Sequence, residues 1–342
     1  MQHQNFISSK LEWARMAMNP CLAVWQVFVR ISQCESSIEN INARPEESAA
    51  LIAAMTHEFL TLSSGRKLAF QHFGDPAGVP AFYFHGWPSS LVQGALMDEQ
   101  GKRQGLHVVA MDRPGVGRSD HQPGRRLLDW PPVVIELADH LGWDRFHVFG
   151  VSGGGPYALA CAHAIPDRLL SASVICGAPP LRLFGSRELF FPYRLVLAMS
   201  HHLPWLLSPL FHIASAISRC PAHLPPLSWM IAMLSGRDRE ALQDREAHRI
   251  ICQSFRDCLS SGVPQVQADG DVYHEDWGID FSQIRCPVHL WHGTKDRNIP
   301  CSYAEKLAAL MPAAITHWTP DDGHYSLPLL RGDEIAHAAL GR

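Results

Sequence analysis

The chain has 342 residues, 46% of them hydrophobic, enough for one large α/β domain or two small ones, which excludes a chain that is disordered throughout. With 29 basic and 33 acidic residues the formal charge is -4, so nothing electrostatic draws it to nucleic acid or an anionic membrane, and a small-molecule site is expected. Nine cysteines, odd in number and without a C-x-x-C pair, fit neither a disulfide framework nor a zinc site, and point to a reducing, cytoplasmic compartment.

Residues 1–56 read as a separate, partly helical extension. The apolar stretch from Cys21 to Ile31 is short and interrupted by Gln26 and Arg30, so it is not expected to span a bilayer. Asn19-Pro20 and the Gln33 before Cys34 fit a signal peptide poorly. Pro45 is placed to start a helix from Glu46 to His57, in which Leu51, Ile52 and Met55 share a face.

From Phe59 the pattern changes to short strands. FLTLSS and KLAFQHFG, separated by Ser-Gly-Arg, predict a hairpin. The run Ala81-Phe82-Tyr83-Phe84 is continuously apolar, as buried parallel strands are, and ends at His85-Gly86-Trp87-Pro88. Leu106 to Met111 is a second such strand, followed by Asp112-Arg113-Pro114-Gly115-Val116-Gly117-Arg118-Ser119, and a helix is expected from Trp130 to Leu141.

The stretch from Asp144 to Ala164 reads as strand, sharp turn and helix. In the turn, Gly150-Val151-Ser152-Gly153-Gly154 fits G-x-S-x-G, whose glycines leave room for a backbone that pushes the serine hydroxyl above the sheet. Pro156 falls in the first helical turn, where its missing N–H costs nothing. One more strand is expected from Leu169 to Cys176. A proline-punctuated helical stretch with large apolar clusters then runs over residues 179–266. The sheet resumes at Val288 to Trp291, with a helix near Tyr303 to Leu310 and a last strand from Ala314 to Trp318. Strands alternating with helices around one helical insertion predict an α/β fold, a mostly parallel, doubly wound sheet.

The motifs HGWP, DRPGVGRSD, GVSGG, WHGTKD and DGH, in this order, resemble the α/β-hydrolase superfamily with a helical cap, from Phe59 to the C-terminus. The resemblance implies a core of residues 57–178 and 267–342 and a cap of 179–266. It also implies a serine nucleophile, an acid after a late strand and a histidine on a loop near the C-terminus, carried here by Ser152, Asp296 and His324. Elementary chemistry asks for the same roles, because a serine hydroxyl needs a base to take its proton and the base needs a carboxylate to fix its tautomer. His317, the rival base, lies within a strand pattern, and Asp321 and Asp322 read as loop carboxylates too close in sequence to His324 to reach behind its ring. The family's H-G-x-P turn makes the Trp87 backbone N–H one oxyanion donor, with Gly153, directly after the nucleophile, as the second.

The expected activity is therefore hydrolysis of a carboxylic ester of small to medium size through an acyl-enzyme, without cofactor or metal. The same triad on an amide, thioester or carbon–carbon bond remains an alternative, as does a ligand-binding member of the fold that has lost chemistry. His201, His202, His212, Cys220 and His223 lack paired metal-ligand spacing. For substrate binding the apolar Trp87, Phe190, Phe191, Trp205 and Phe211 are expected to line the pocket, with efficiency rising along a series of lengthening acyl chains. Arg237, Asp238, Arg239 and Glu240 read as a solvated helix start. Oligomeric state is not legible.

Overall fold

In the computed structural model the described residues are 57–342, so the expected extension over 1–56, with the helix from Glu46, lies outside them. Eight strands of the described residues form one sheet in the order β1-β2-β4-β3-β5-β6-β7-β8. The predicted hairpin is β1 (Glu58–Thr61) with β2 (Lys67–Gly74), and β2 runs antiparallel to β4 (Leu106–Met111). Every later pairing is parallel, through β3 (Val79–Phe84), β5 (Phe146–Val151), β6 (Leu169–Ile175), β7 (Val288–Gly293) and β8 (Ile315–Thr319).

The continuous apolar runs become these strands because both faces of the sheet are covered. On β3 the side chains alternate: Phe82 and Phe84 join one core, Ala81 and Tyr83 the other. The first core packs against α2 (Trp130–His140) and α3 (Gly155–Ala164), which follows α1 (Asp98–Gln104) in the chain. On the opposite face, Met97, Ile335 and Ala336 belong to the second core.

Between β6 and β7 come seven α-helices: α4 (Leu181–Phe184), α5 (Phe191–His202), α6 (Leu207–Ile217), α7 (Leu227–Ala232), α8 (Gly236–Ala241), α9 (Arg245–Cys258) and α10 (Val263–Asp271). The expected end of the insertion at residue 266 falls inside α10, which Pro264 starts in its first turn. After β7 come α11 (Cys301–Leu310), α12 (Ser326–Leu330) and α13 (Gly332–Ala339). No helix among the described residues is long and apolar enough to cross a membrane. Among the described residues Cys161, Cys176, Cys252, Cys258, Cys286 and Cys301 are free thiols.

Candidate active site

The carboxyl ends of β3, β5, β7 and β8 deliver the chemistry-bearing groups to one edge of the sheet, where such folds hold their ligands. At the end of β5 the chain turns sharply into α3. Ser152 sits in the left-handed region with φ 53°, a conformation that costs a non-glycine residue on the order of 1 kcal/mol or more. The surroundings hold it there: Ala178 N–H donates to the Ser152 carbonyl at 2.8 Å, and the buried Tyr273 hydroxyl donates to the Gly153 carbonyl at 3.0 Å. Gly154 is glycine because a Cβ there would collide with the Phe84 carbonyl of β3.

His324 lies on the loop between β8 and α12, 95% buried, with Nε2 3.0 Å from the Ser152 hydroxyl. Its Nδ1–H donates to Asp296 Oδ2 at 2.8 Å, which fixes the tautomer and leaves the Nε2 lone pair facing the serine. Asp296 is fixed in turn by two backbone N–H groups, from Asn298 at 2.8 Å and Ile299 at 2.9 Å, both donating to Oδ1. Burial pushes the Asp296 carboxyl up, but the His324 and His292 imidazoles beside it more than offset this and hold it well below the usual carboxylate range. Burial likewise pulls the His324 imidazole down, while the charge and hydrogen bond of Asp296, with a smaller contribution from Asp238, leave it above the ordinary histidine value.

His317, the rival, belongs to the sheet. Its ring stacks on Trp291 at 3.8 Å between centroids and meets His289 at 3.1 Å.

Asp238, expected to be solvated, is fully buried. From the first turn of α8 it reaches the histidine loop: Oδ2 accepts the His324 N–H at 3.1 Å, and Oδ1 accepts the N–H groups of Tyr325 at 2.9 Å and Ser326 at 2.8 Å. A Cβ on Gly323 would collide with this carboxylate and with the Ser235 hydroxyl, so the Gly323 in Asp-Gly-His is what lets the helix approach. Charged residues at the start of a short helix gave no sign of this, because the contact is made across 86 residues of sequence. Asp322 is also buried, its Oδ2 accepting from Arg331 Nε at 3.0 Å and its backbone carbonyl accepting the Lys295 N–H at 3.0 Å, which ties the histidine loop to the acid loop.

The loop after β3 is held by a fully buried arginine on the turn after β4. Arg113 donates to the carbonyls of His85 at 2.6 Å and Gly86 at 2.9 Å, and pairs with the buried Asp269 of α10 at 2.7 Å. Arg125 and the Tyr157 hydroxyl complete the shell around Asp269. The Trp87 backbone nitrogen that follows lies beside the elbow, 2.9 Å from the space a Cβ on Gly153 would fill. The Trp87 indole N–H donates to the Val266 carbonyl of α10 at 2.8 Å, and its ring meets Tyr273 and Phe211 edge-on.

Two cavities meet at Ser152. A large one of about 430 Å³ is lined by His324, Trp87, Tyr193, Phe211 and residues of α5, α6, α7 and α9. A small one of about 50 Å³ is lined by Trp87, Gly153, Ala178, Leu181, Leu189, Leu197, Tyr273 and Ile299. Among the described residues no Asp, Glu, Lys or Arg lines either cavity.

Of the side chains expected to bind substrate, Trp87 and Phe211 line a cavity. Phe190, Phe191 and Trp205 do not: Phe191 is 66% and Trp205 69% exposed, and Phe190 is spent at the helix entrance, its N–H bonded to the Asn298 carbonyl. On α5, which Pro192 starts in its first turn, Pro192, Tyr193, Leu195 and Val196 line the large cavity and Tyr193 and Leu197 the small one, whereas Phe191, at the first helical position, faces solvent.

Among the described residues one group of three potential metal donors converges, Cys176, Asp296 and His324, within 4.8 Å of one another. Asp296 and His324 are hydrogen-bonded to each other, and burial pushes the Cys176 thiol well up, so it offers a neutral S–H rather than the thiolate a metal needs.

A model of the alpha/beta hydrolase family matches residues 81–338. The non-heme chloroperoxidase of Streptomyces lividans is 25% identical over 260 residues, 75% of this chain and 88% of that protein. The 2-hydroxy-6-oxononadienedioate/2-hydroxy-6-oxononatrienedioate hydrolase of Klebsiella pneumoniae is 25% identical over 227 residues, 65% of this chain and 71% of that protein. An esterase structure from Rhodococcus sp. superposes with a TM-score of 0.61 at 19% identity, covering 84% of this chain and 98% of that one, a likeness of fold.

Proposed function

The chain belongs to the alpha/beta hydrolase family, and on that premise we propose that it is a serine hydrolase that cleaves neutral, apolar carboxylic esters through an acyl-enzyme. The observation that carries the reading is the line from Asp296 through His324 to Ser152, at 2.8 and 3.0 Å, ending between two cavities with no charged side chain from Asp, Glu, Lys or Arg on their walls. A carboxylate or ammonium on the substrate would enter without a partner, whereas apolar groups gain burial.

In this mechanism Ser152 Oγ attacks the ester carbonyl carbon as its proton passes to His324 Nε2. The carbonyl oxygen becomes an oxyanion, received by the backbone N–H groups of Trp87 and Gly153; one such donor is worth about 3 to 4 kcal/mol of transition-state stabilisation. Collapse breaks the bond to the leaving alcohol oxygen, which takes the proton from Nε2. Water then attacks the acyl-serine carbonyl carbon and gives its proton to the same nitrogen. The second collapse releases the carboxylic acid and returns the proton to Ser152. Asp296 keeps its negative charge throughout and stabilises the imidazolium at each step. The helical residues 179–266 act as a cap that keeps water from the rest of the site.

Hydrolysis of an amide, thioester or carbon–carbon bond would use the same three groups. The test is turnover of neutral activated esters by the native chain and by Ser152→Ala. The native chain is expected to be active and the variant slower by roughly six orders of magnitude. Circular dichroism checks that both are folded; equal turnover by the two would end the reading, and turnover of no ester would favour a binding role for the pocket.

A further inference from the structure

We infer that the two cavities divide the substrate unequally: the small one takes the acyl group and the large one the leaving alcohol, so that the preferred substrates are short-chain acyl esters, of acetate size, of bulky apolar alcohols. The inference rests on the serine-hydrolase reading and deepens it.

The tetrahedral intermediate on Ser152 has three substituents besides Oγ, and each has one place to go. The oxyanion faces the amides of Trp87 and Gly153. The leaving oxygen must lie within reach of His324 Nε2, which donates its proton. His324 lines the large cavity and is absent from the walls of the small one, so the alcohol departs into the large cavity. The acyl chain is left with the small cavity, whose walls hold Gly153 and Trp87 but not the base.

Volume then sets the class. An apolar cavity of about 150 Å³ holds a benzene ring. The large cavity, at about 430 Å³ among Val196, Leu210, Phe211, Ile251 and Phe255, has room for a fused ring system or a long alkyl chain. The small one, at about 50 Å³ between Leu181, Leu189, Leu197 and Ile299, has room for one or two carbons, and its far wall is buried core. This reverses the expectation that efficiency climbs with acyl length.

Two ester series measured as kcat/KM decide it. With p-nitrophenol held as leaving group, efficiency is expected to fall at least roughly tenfold from acetate to octanoate. With the acyl group held as acetate, it is expected to rise roughly threefold per added carbon of the alcohol from ethyl to hexyl. Leu197→Ala and Leu189→Ala, which open the small cavity, should each move the acyl limit toward butanoate, and either one that folds suffices. Met230→Trp, at the rim of the large cavity, should lower the ratio of hexyl to ethyl acetate. A rise along the acyl series, a fall along the alcohol series, or an acyl limit that neither leucine variant moves would overturn the division while leaving the serine mechanism intact. Turnover of no ester in either series would overturn the serine-hydrolase reading and the division with it.

Discussion

His324 is held by two carboxylates from distant parts of the chain, Asp296 on its ring and Asp238 on its backbone N–H. A base must be neutral to act. Because the imidazole is raised above the ordinary value near 6.5, kcat/KM should rise with pH through a midpoint above that value and level off beyond it. Stability runs the other way: the contribution of the protonated His324–Asp296 pair is complete below the unfolded pKa and is lost as pH rises through the raised folded one. Asp296→Asn leaves the ring in the wrong tautomer and should cost about four orders of magnitude in kcat. Asp238→Asn removes a negative charge that raises the imidazole, so the pH midpoint should move down, and kcat should drop by about ten- to a hundredfold as the loop loses its charged acceptor. A pH–rate profile of both variants checks this; an unmoved midpoint in Asp238→Asn would reduce that residue to a structural brace. Ser152, Asp296 and His324 were legible because a motif order is written along the chain. Asp238 was not, because its partners are backbone amides, which carry no sequence signature.

At the scale of elements, α10 is bolted to the loop after β3 through Arg113 and Asp269, both buried. Burial pushes the Asp269 carboxyl up, but Arg113 and Arg125 more than offset it and hold it well below its ordinary range. Its contribution to stability is therefore present above the unfolded value of about 3.9 and lost as pH falls toward the depressed folded value. Asp269→Ala leaves two buried guanidinium groups without their carboxylate and should destabilise the fold by about 3 to 5 kcal/mol in urea unfolding. Because Arg113 also holds the His85 and Gly86 carbonyls, a folded Asp269→Asn should lower kcat more than it raises KM. An unchanged kcat would separate the ion pair from the oxyanion loop. The strands were readable from their apolar runs, whereas residue 266, the expected end of the insertion, falls inside α10. Val263 to Asp271 carries no composition break at residue 266, and composition does not separate the exposed Phe191 from the cavity-lining Tyr193 two residues on.

Across the whole molecule, the eight-stranded sheet, both cores and every group in the proposed mechanism lie within residues 57–342. A chain beginning at His57 is thus expected to fold and to keep the full-length kcat/KM; insoluble or inactive protein would place the first 56 residues in contact with the domain or the site. The fold class was legible because strand and helix periods alternate so regularly. The unequal cavities were not, since each is a space between side chains as far apart in the chain as Trp87, Ser152, Tyr193 and Ile299 or His324, and no single segment of sequence contains it.

The central claim is that one serine carries the acyl group, and covalent labelling tests it most directly. A fluorophosphonate incubated with the native chain, followed by peptide mass spectrometry, is expected to add a single phosphonyl group to the peptide bearing Ser152, with loss of ester turnover in step and no labelling in Ser152→Ala. Loss of turnover with the label on another residue and Ser152 unmodified, or full turnover by a chain labelled at Ser152, would contradict the account.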